Sequence, residues 1–397
     1  MASRSLGESD ALKMLADHSG GRYIHEARDY EKVAALIHTI TGNYYVLGYY
    51  VDEKYDGQYH EVRVKIRRKG CRVYVQSGYF NPRPFYELSP FEKQLHLIAL
   101  VLGEEGYYGQ PLSFPSVALV SSRSPEAVKT VILSEIKVPG MTEIVRGGAE
   151  IWTLAFDERN DVVDVARGEL RPSILEKSSV YHFAVLSLPV PLEGVGRYEC
   201  RVLIRNTKTG RAARSSFTVE VPVIPEPARG LFLFPPILLV REDGVFYVES
   251  VPRSRAKKME KKTQGTPERF LSLKEIYPFV SMTSAPVIHH LNREEKRVTA
   301  VLRCRVGSVT EPDVRLSVYM KRGVHPEGEK VGSYKGMEWV EVPCFLEDVQ
   351  KGEAGVDALL LTIELPELEP GPYTFEFRAE ETTTGSQAAT TVSFEVV

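Results

Sequence analysis

The chain has 397 residues, 43% hydrophobic and 26% charged, with a formal net charge of -3. Single cores stop growing at roughly 250 to 300 residues, so this length accommodates two to four domains, and the composition excludes global disorder. Lysine and arginine are spread without a domain-wide basic field, which argues against a nucleic-acid partner. No apolar run reaches the roughly 18 to 20 residues that cross a bilayer; the longest, residues 231–240, carries two prolines.

At the N-terminal end, Leu12, Leu15 and Ala16 recur at helical spacing ahead of Gly20 and Gly21. Val33, Leu36, Ile37 and Ile40 do the same ahead of Gly42. Two amphipathic helices are predicted, flanking a short strand over residues 22–26. Asp29 is the expected N-cap of the second, its carboxylate accepting from first-turn amides. From Asn43 the apolar period changes from about 3.6 to 2. Residues 44–50, 61–68 and 72–80 read as Tyr- and Val-rich strands, separated by a loop at 54–58 and a Lys69-Gly70 turn.

This order of helix, Gly-Gly turn, strand, helix and three strands over residues 12–80 resembles the end of the bacterial VWFA-related domain. That family places a von Willebrand factor A (vWA) domain ahead of immunoglobulin-like modules. The resemblance implies that residues 1–80 are the C-terminal portion of a vWA-like α/β domain, closing one edge of a doubly wound sheet. In the family a DxSxS loop, with later Thr and Asp oxygens, holds a hard cation. No DxSxS occurs here, and Asp10 and Asp17 fall in or near the first helix, so no residue inherits a ligand role. The family is usually exported, which implies an extracellular, periplasmic or cell-surface location. The first fifteen residues lack the apolar core of a signal peptide, and the expectation is that an N-terminal segment is absent. If the chain begins at Met1, the two helices lack the strands they would pack on, and residues 1–80 are expected to recruit a protein partner or self-associate. Repacking of the helices on residues 43–80 is the alternative.

Residues 81–110 read as a helical connector built on 89–106. From about residue 111, short alternating runs at 116–122, 127–138, 150–158, 181–190, 197–206 and 215–221 predict an antiparallel sandwich. A second signal is internal: the 26 residues from Gly196 align without a gap on those from Gly371, sharing Gly-x-Tyr, a Thr-Gly and a closing Val-containing strand. Two immunoglobulin-like sandwiches are expected, at 111–226 and 271–397, with Tyr198 and Tyr373 as corner tyrosines whose hydroxyls bond backbone. Residues 227–270 are expected to supply a strand and a basic linker. Within the linker, 253–269 reads as a solvated loop, with a cationic docking strip as the other reading.

Few groups suggest chemistry. HExxH, GxSxG, P-loop and GxGxxG motifs are absent. His289 and His290 with Glu294 could ligate a metal, but a loop histidine pair is the preferred reading. Residues 157–164 have the acidic spacing of a weak calcium loop and read better as a hairpin turn. The tyrosines at 44, 45, 49, 50, 55 and 59 could form a stacking face, though strand packing is preferred. Cys71, Cys200, Cys304 and Cys344 have no zinc spacing. Cys304 and Cys344 could bridge if the protein is exported, and two buried thiols are the preferred reading. The fold class is thus mainly β, two sandwiches preceded by a small α/β portion. The expected function is a non-enzymatic binding or scaffold protein acting in adhesion or protein–protein interaction, with no catalytic, cofactor or metal residue nominated. A partner-completed assembly subunit is the alternative.

Overall fold

The computed structural model describes residues 2–397 apart from 25–29, 43–44, 50–54, 71–72, 105, 124–126, 178, 191–194, 223–229, 253–270, 308–312, 324–338 and 353–354. Strands predominate, and the chain divides into two units, Met1–Leu95 and His96–Val397.

In the first unit, α1 (Ala2–Ser19) and α2 (Tyr30–Gly42) occupy the two stretches of helical periodicity. The expected N-cap Asp29 lies outside the described residues, and Arg22, Tyr23 and Ile24 belong to no strand. Of the three expected strands, residues 45–49 form none. The other two shorten to β1 (Tyr59–Glu61) and β2 (Gly78–Phe80), paired antiparallel with Tyr59 opposite Phe80. Alternating apolar positions hold a strand in register only when a second layer covers them. Among the described residues up to 95, only Gly78 and Phe85 are buried, so that layer is lacking. Helix α3 (Pro90–Leu102) starts from a reciprocal cap, as Ser-Pro-Phe-Glu predicts. The Glu92 carboxylate accepts from the Ser89 amide at 2.8 Å, and the Ser89 hydroxyl accepts from the Glu92 amide at 3.3 Å.

The second unit opens with β3 (Leu112–Ser113), β4 (Ser116–Arg123) and β5 (Ala127–Ile136), then a short helix, α4 (Val138–Val145). Residue 138 was expected to end a strand; Pro139 in the first turn suits helix initiation instead. Next come β6 (Ala149–Phe156), β7 (Val162–Leu170), β8 (Ser179–Pro189), β9 (Val195–Asn206) and β10 (Ala212–Pro222). Residues 231–252 supply β11 (Leu231–Leu233), β12 (Ile237–Arg241) and β13 (Val245–Pro252). After α5 (Leu271–Ile276) follow β14 (Ser284–Pro286), β15 (His290–Leu291), β16 (Arg297–Val306), β17 (Val314–Arg322) and β18 (Val340–Val342). The last strands are β19 (Cys344–Gln350), β20 (Val356–Glu364), β21 (Gly371–Glu381) and β22 (Ser386–Val396).

Nine strands join in the order β3-β10-β9-β6-β7-β13-β8-β5-β4. At β13 this ladder folds on itself: β13 runs parallel to β8 over six residues and meets β7 only at Val251 and Pro252. Gly168 permits that crossing, since a Cβ there would lie 2.6 Å from Ser250 Oγ and 2.9 Å from the Glu249 carbonyl. The two halves, a first leaf β3-β10-β9-β6-β7 and a second leaf β13-β8-β5-β4, enclose one core, with Ile151, Val202 and Ile204 on one side and Val128, Ile132, Ala184 and Leu186 on the other. A third sheet, β14-β12-β16-β20-β19 with β11 beside β16, and a fourth, β15-β22-β21-β17-β18, enclose another core around Leu302, Ile363, Phe375 and Phe377.

Between these two pairs lies a further apolar layer. Val131, Leu133, Tyr181, Phe183 and Tyr247 from the second leaf pack with Ile237, Leu239, Tyr277 and Val301. The middles of β5, β8 and β16 are therefore buried on both faces, which explains their unbroken apolar runs at 131–133, 183–186 and 300–302.

Candidate functional site

Both copies of the internal repeat fold into hairpins, β9–β10 and β21–β22. Tyr198 lies in the first core and its hydroxyl donates to the Pro189 carbonyl at 2.7 Å. Tyr373 lies in the last core, stacked on Phe394, and its hydroxyl accepts from the Glu369 amide at 3.3 Å. The turns also share a feature that the alignment alone does not flag. Asn206 and Glu381, at the same repeat position, accept from the next turn amides: Lys208 and Thr209 in one copy, Thr383 and Thr384 in the other. Gly210 and Gly385 close these turns at φ of 74° and 68°, a region that L side chains avoid.

Asn206 has a second task. Its Nδ2 donates to the Ile144 and Arg146 carbonyls at 2.8 and 2.7 Å, satisfying the C-terminal end of α4. One buried amide thus joins helix to hairpin.

The densest buried ionisable cluster lies on the face of the first leaf opposite its core. Glu150 on β6 faces Arg205 on β9 in register, and Arg205 Nε and Nη2 donate to Glu150 Oε1 at 2.9 and 2.5 Å. Arg167 donates to Glu150 Oε2 at 3.3 Å while its guanidinium lies 5.0 Å from the Trp152 ring. Arg205 Nη1 sits 3.3 Å from His96 Nδ1, and His96 packs edge-on against Tyr108. Burial, then the Arg205 cation, push the His96 imidazole down to about 4. A carboxylate bound by two arginines, one of which also meets a neutral histidine, is arranged as a cross-link between β6, β7, β9 and the C-terminal half of α3.

Inside the first core, His182 is fully buried. Its Nε2 is hydrogen-bonded to Ser250 Oγ at 2.9 Å and lies 3.5 Å from Thr153 Oγ1, while Nδ1 has no hydrogen-bond partner among the described residues. Ser134, opposite His182 in the ladder, accepts from the Ser116 hydroxyl at 2.8 Å. Burial lowers the His182 imidazole to about 3.

The residues singled out in the sequence fall as follows. The His289 and His290 rings lie 6.4 Å apart, and His290 approaches Glu395 at 3.9 Å. Glu294 instead lies in a local turn that Asn292 starts, its amide donating to Asn292 Oδ1. In 157–164, Asp157 Oδ1 accepts from the Arg159 and Asp161 amides at 2.9 Å, closing the β6–β7 hairpin. Asp164 accepts from the Ser187 amide at 2.7 Å and ties β7 to β8. Among the described residues no three His, Cys, Asp or Glu side chains are grouped to hold a metal ion.

Cys200, Cys304 and Cys344 are free thiols. Cys304 faces Asp357 and Cys344 faces Ile363 along β20, roughly 20 Å apart at the usual rise. Cys71, Tyr44, Tyr50 and the basic segment 253–269 lie outside the described residues. Tyr45, Tyr49 and Tyr59 are exposed, at 92%, 57% and 42%. Tyr59 packs tilted on Phe80, and His60 stacks on Tyr79 while bonding the Asp56 carboxylate.

A cleft of about 350 Å³ opens in the second unit among Val117, Leu133, Pro235, Ile237, Val287 and Val392. Its walls are mostly aliphatic, with the hydroxyl residues Thr391 and Ser393, and carry no carboxylate, amine, histidine or cysteine. No helix among the described residues is long and apolar enough to cross a membrane. Neither a protein-family model nor a curated protein matches the chain.

Proposed function

We propose that the chain is a non-catalytic binding and scaffold protein, the β-rich tail of a VWFA-related surface or secreted protein acting in adhesion or protein–protein interaction. On this reading residues 111–226 and 271–397 are immunoglobulin-like sandwiches, and residues 1–80 are a vWA-like portion that binds a protein partner or self-associates. The observation that carries it is the contrast in burial between the two units. The second has three apolar layers, whereas Leu12, Met14, Leu15 and Ile37 are 52%, 63%, 67% and 52% exposed on α1 and α2. Exposed apolar faces of that extent mark contact surfaces.

The matched hairpins with their corner tyrosines support the sandwich assignment. Export rests on the resemblance alone, since Cys304 and Cys344, whose bridge would have favoured it, are free thiols. The same exposed faces favour the second reading, a structural assembly subunit completed by another chain.

Hydrogen exchange of the full chain, measured with sedimentation over a range of concentrations, tests the shared premise. The expected result is weak amide protection over residues 30–42 in the monomer, rising when the chain associates. A strictly monomeric chain with strongly protected α1 and α2 amides would overturn it.

A further inference from the structure

Two consecutive strands end the third and fourth sheets on one side, with no described strand beyond them. β18 ends one strand order and β19 ends the other, with only Pro343 between them. Among the described residues no strand pairs with the outer edge of either. β4, which ends the nine-stranded order, is covered: Ser116, Leu119, Val120 and Ser121 are buried, and the Ser121 carbonyl accepts from the Arg303 guanidinium.

Residues 339–350 carry an unusual load for such an edge. Trp339, Val340, Phe345, Leu346 and Val349 are 36%, 60%, 51%, 59% and 39% exposed. Glu341, Glu347 and Asp348 are also exposed, and the stretch contains no lysine or arginine. Asp348 bonds only locally, to the Val349 amide. Edge strands are ordinarily kept short, cationic or covered, because their unpaired amides and carbonyls template further pairing.

Charge selects the occupant. Antiparallel pairing of β19 with a second β19 about its middle would bring Glu347 and Asp348 of the two copies together, which is unfavourable. The register shift between Leu346 and Asp348 further bars a flat self-pairing. A cationic strand meets neither obstacle on charge, and its apolar residues would cover Phe345, Leu346 and Val349.

We propose that the β18–β19 run is a strand-addition site for an extended segment of a partner protein in which cationic and apolar residues alternate. Main-chain bonds to the open edge supply affinity, and the three carboxylates supply selectivity. The site goes beyond the reading given for residues 1–80, and either can fail without the other.

The test uses the full chain and three eight-residue peptides: alternating lysine and valine, alternating glutamate and valine, and the lysine peptide N-methylated at every second amide. The lysine peptide should bind and protect amides within 340–350. The glutamate and N-methylated peptides should bind at least tenfold more weakly. E347K/D348K, at two exposed positions, should weaken the lysine peptide at least about fivefold and improve the glutamate peptide. The proposal is overturned by no binding, by binding that leaves 340–350 unprotected, by equal affinity for the three peptides, or by self-association through 340–350 without peptide.

Discussion

His182 has no exposed surface and sits among Val180, Ala184 and Leu186 of the first core, so its imidazole is neutral in the folded chain. Unfolding returns it to water, where it titrates near 6.5. Between that value and about 3 the unfolded chain binds a proton that the folded chain refuses. Stability is therefore full above about pH 6.5 and falls as pH drops, by about 1.4 kcal/mol per pH unit. His96 adds to the slope over a narrower range, ending at about 4. Urea unfolding at pH 7 and pH 5 should show a loss of about 2 kcal/mol from His182 alone. H182Q, which keeps a neutral hydrogen-bonding group, should remove that part; an unchanged pH difference in this variant would refute the assignment. Nothing in the local sequence separates His182 from a surface histidine of an alternating strand, because the second leaf is buried on both faces.

At the scale of elements, the repeated hairpin shows how one position serves two contexts. Asn206 and Glu381 both hold a turn, but only Asn206 also closes a helix. N206A should cost about 3 kcal/mol in unfolding free energy, because buried carbonyls of α4 and turn amides lose their partner together. N206D should be no better, since it keeps the turn acceptor but turns a carboxylate toward the helix carbonyls. If N206D matched the native chain in calorimetry, the helix-capping role would fall. The hairpin, its Gly and its Tyr are visible as a sequence repeat. The pairing of Asn206 with α4 is not, because 60 residues separate its amide from the Arg146 carbonyl. For the same reason Glu150 and Arg205 cannot be matched in advance: their facing depends on the β6–β9 register.

Across the whole molecule, the apolar layer between the second leaf and the third sheet makes the second unit one cooperative body. The two tryptophans report its two ends, Trp152 on the first leaf and Trp339 beside β18. In single-tryptophan variants both should unfold at one midpoint, and L239A in the shared layer should lower both together by about 2 to 5 kcal/mol. Separate midpoints would show that the two cores unfold independently. Composition and alternation alone determined that the chain is mainly β, where several strands between residues 116 and 221 run and that it contains a repeated hairpin, because period-two burial and turn residues are local properties. The helices α1 and α2 were equally legible from their spacing. Only the tertiary structure decided that β13 returns to the first core, that α4 interrupts the strand series, and that His182, Asn206 and Glu150 are buried. It also decided that, among the described residues, nothing pairs with the outer edges of β18 and β19. Each of these depends on which distant strand lies alongside, and a chain that alternates apolar and polar residues fixes its faces without fixing its neighbours.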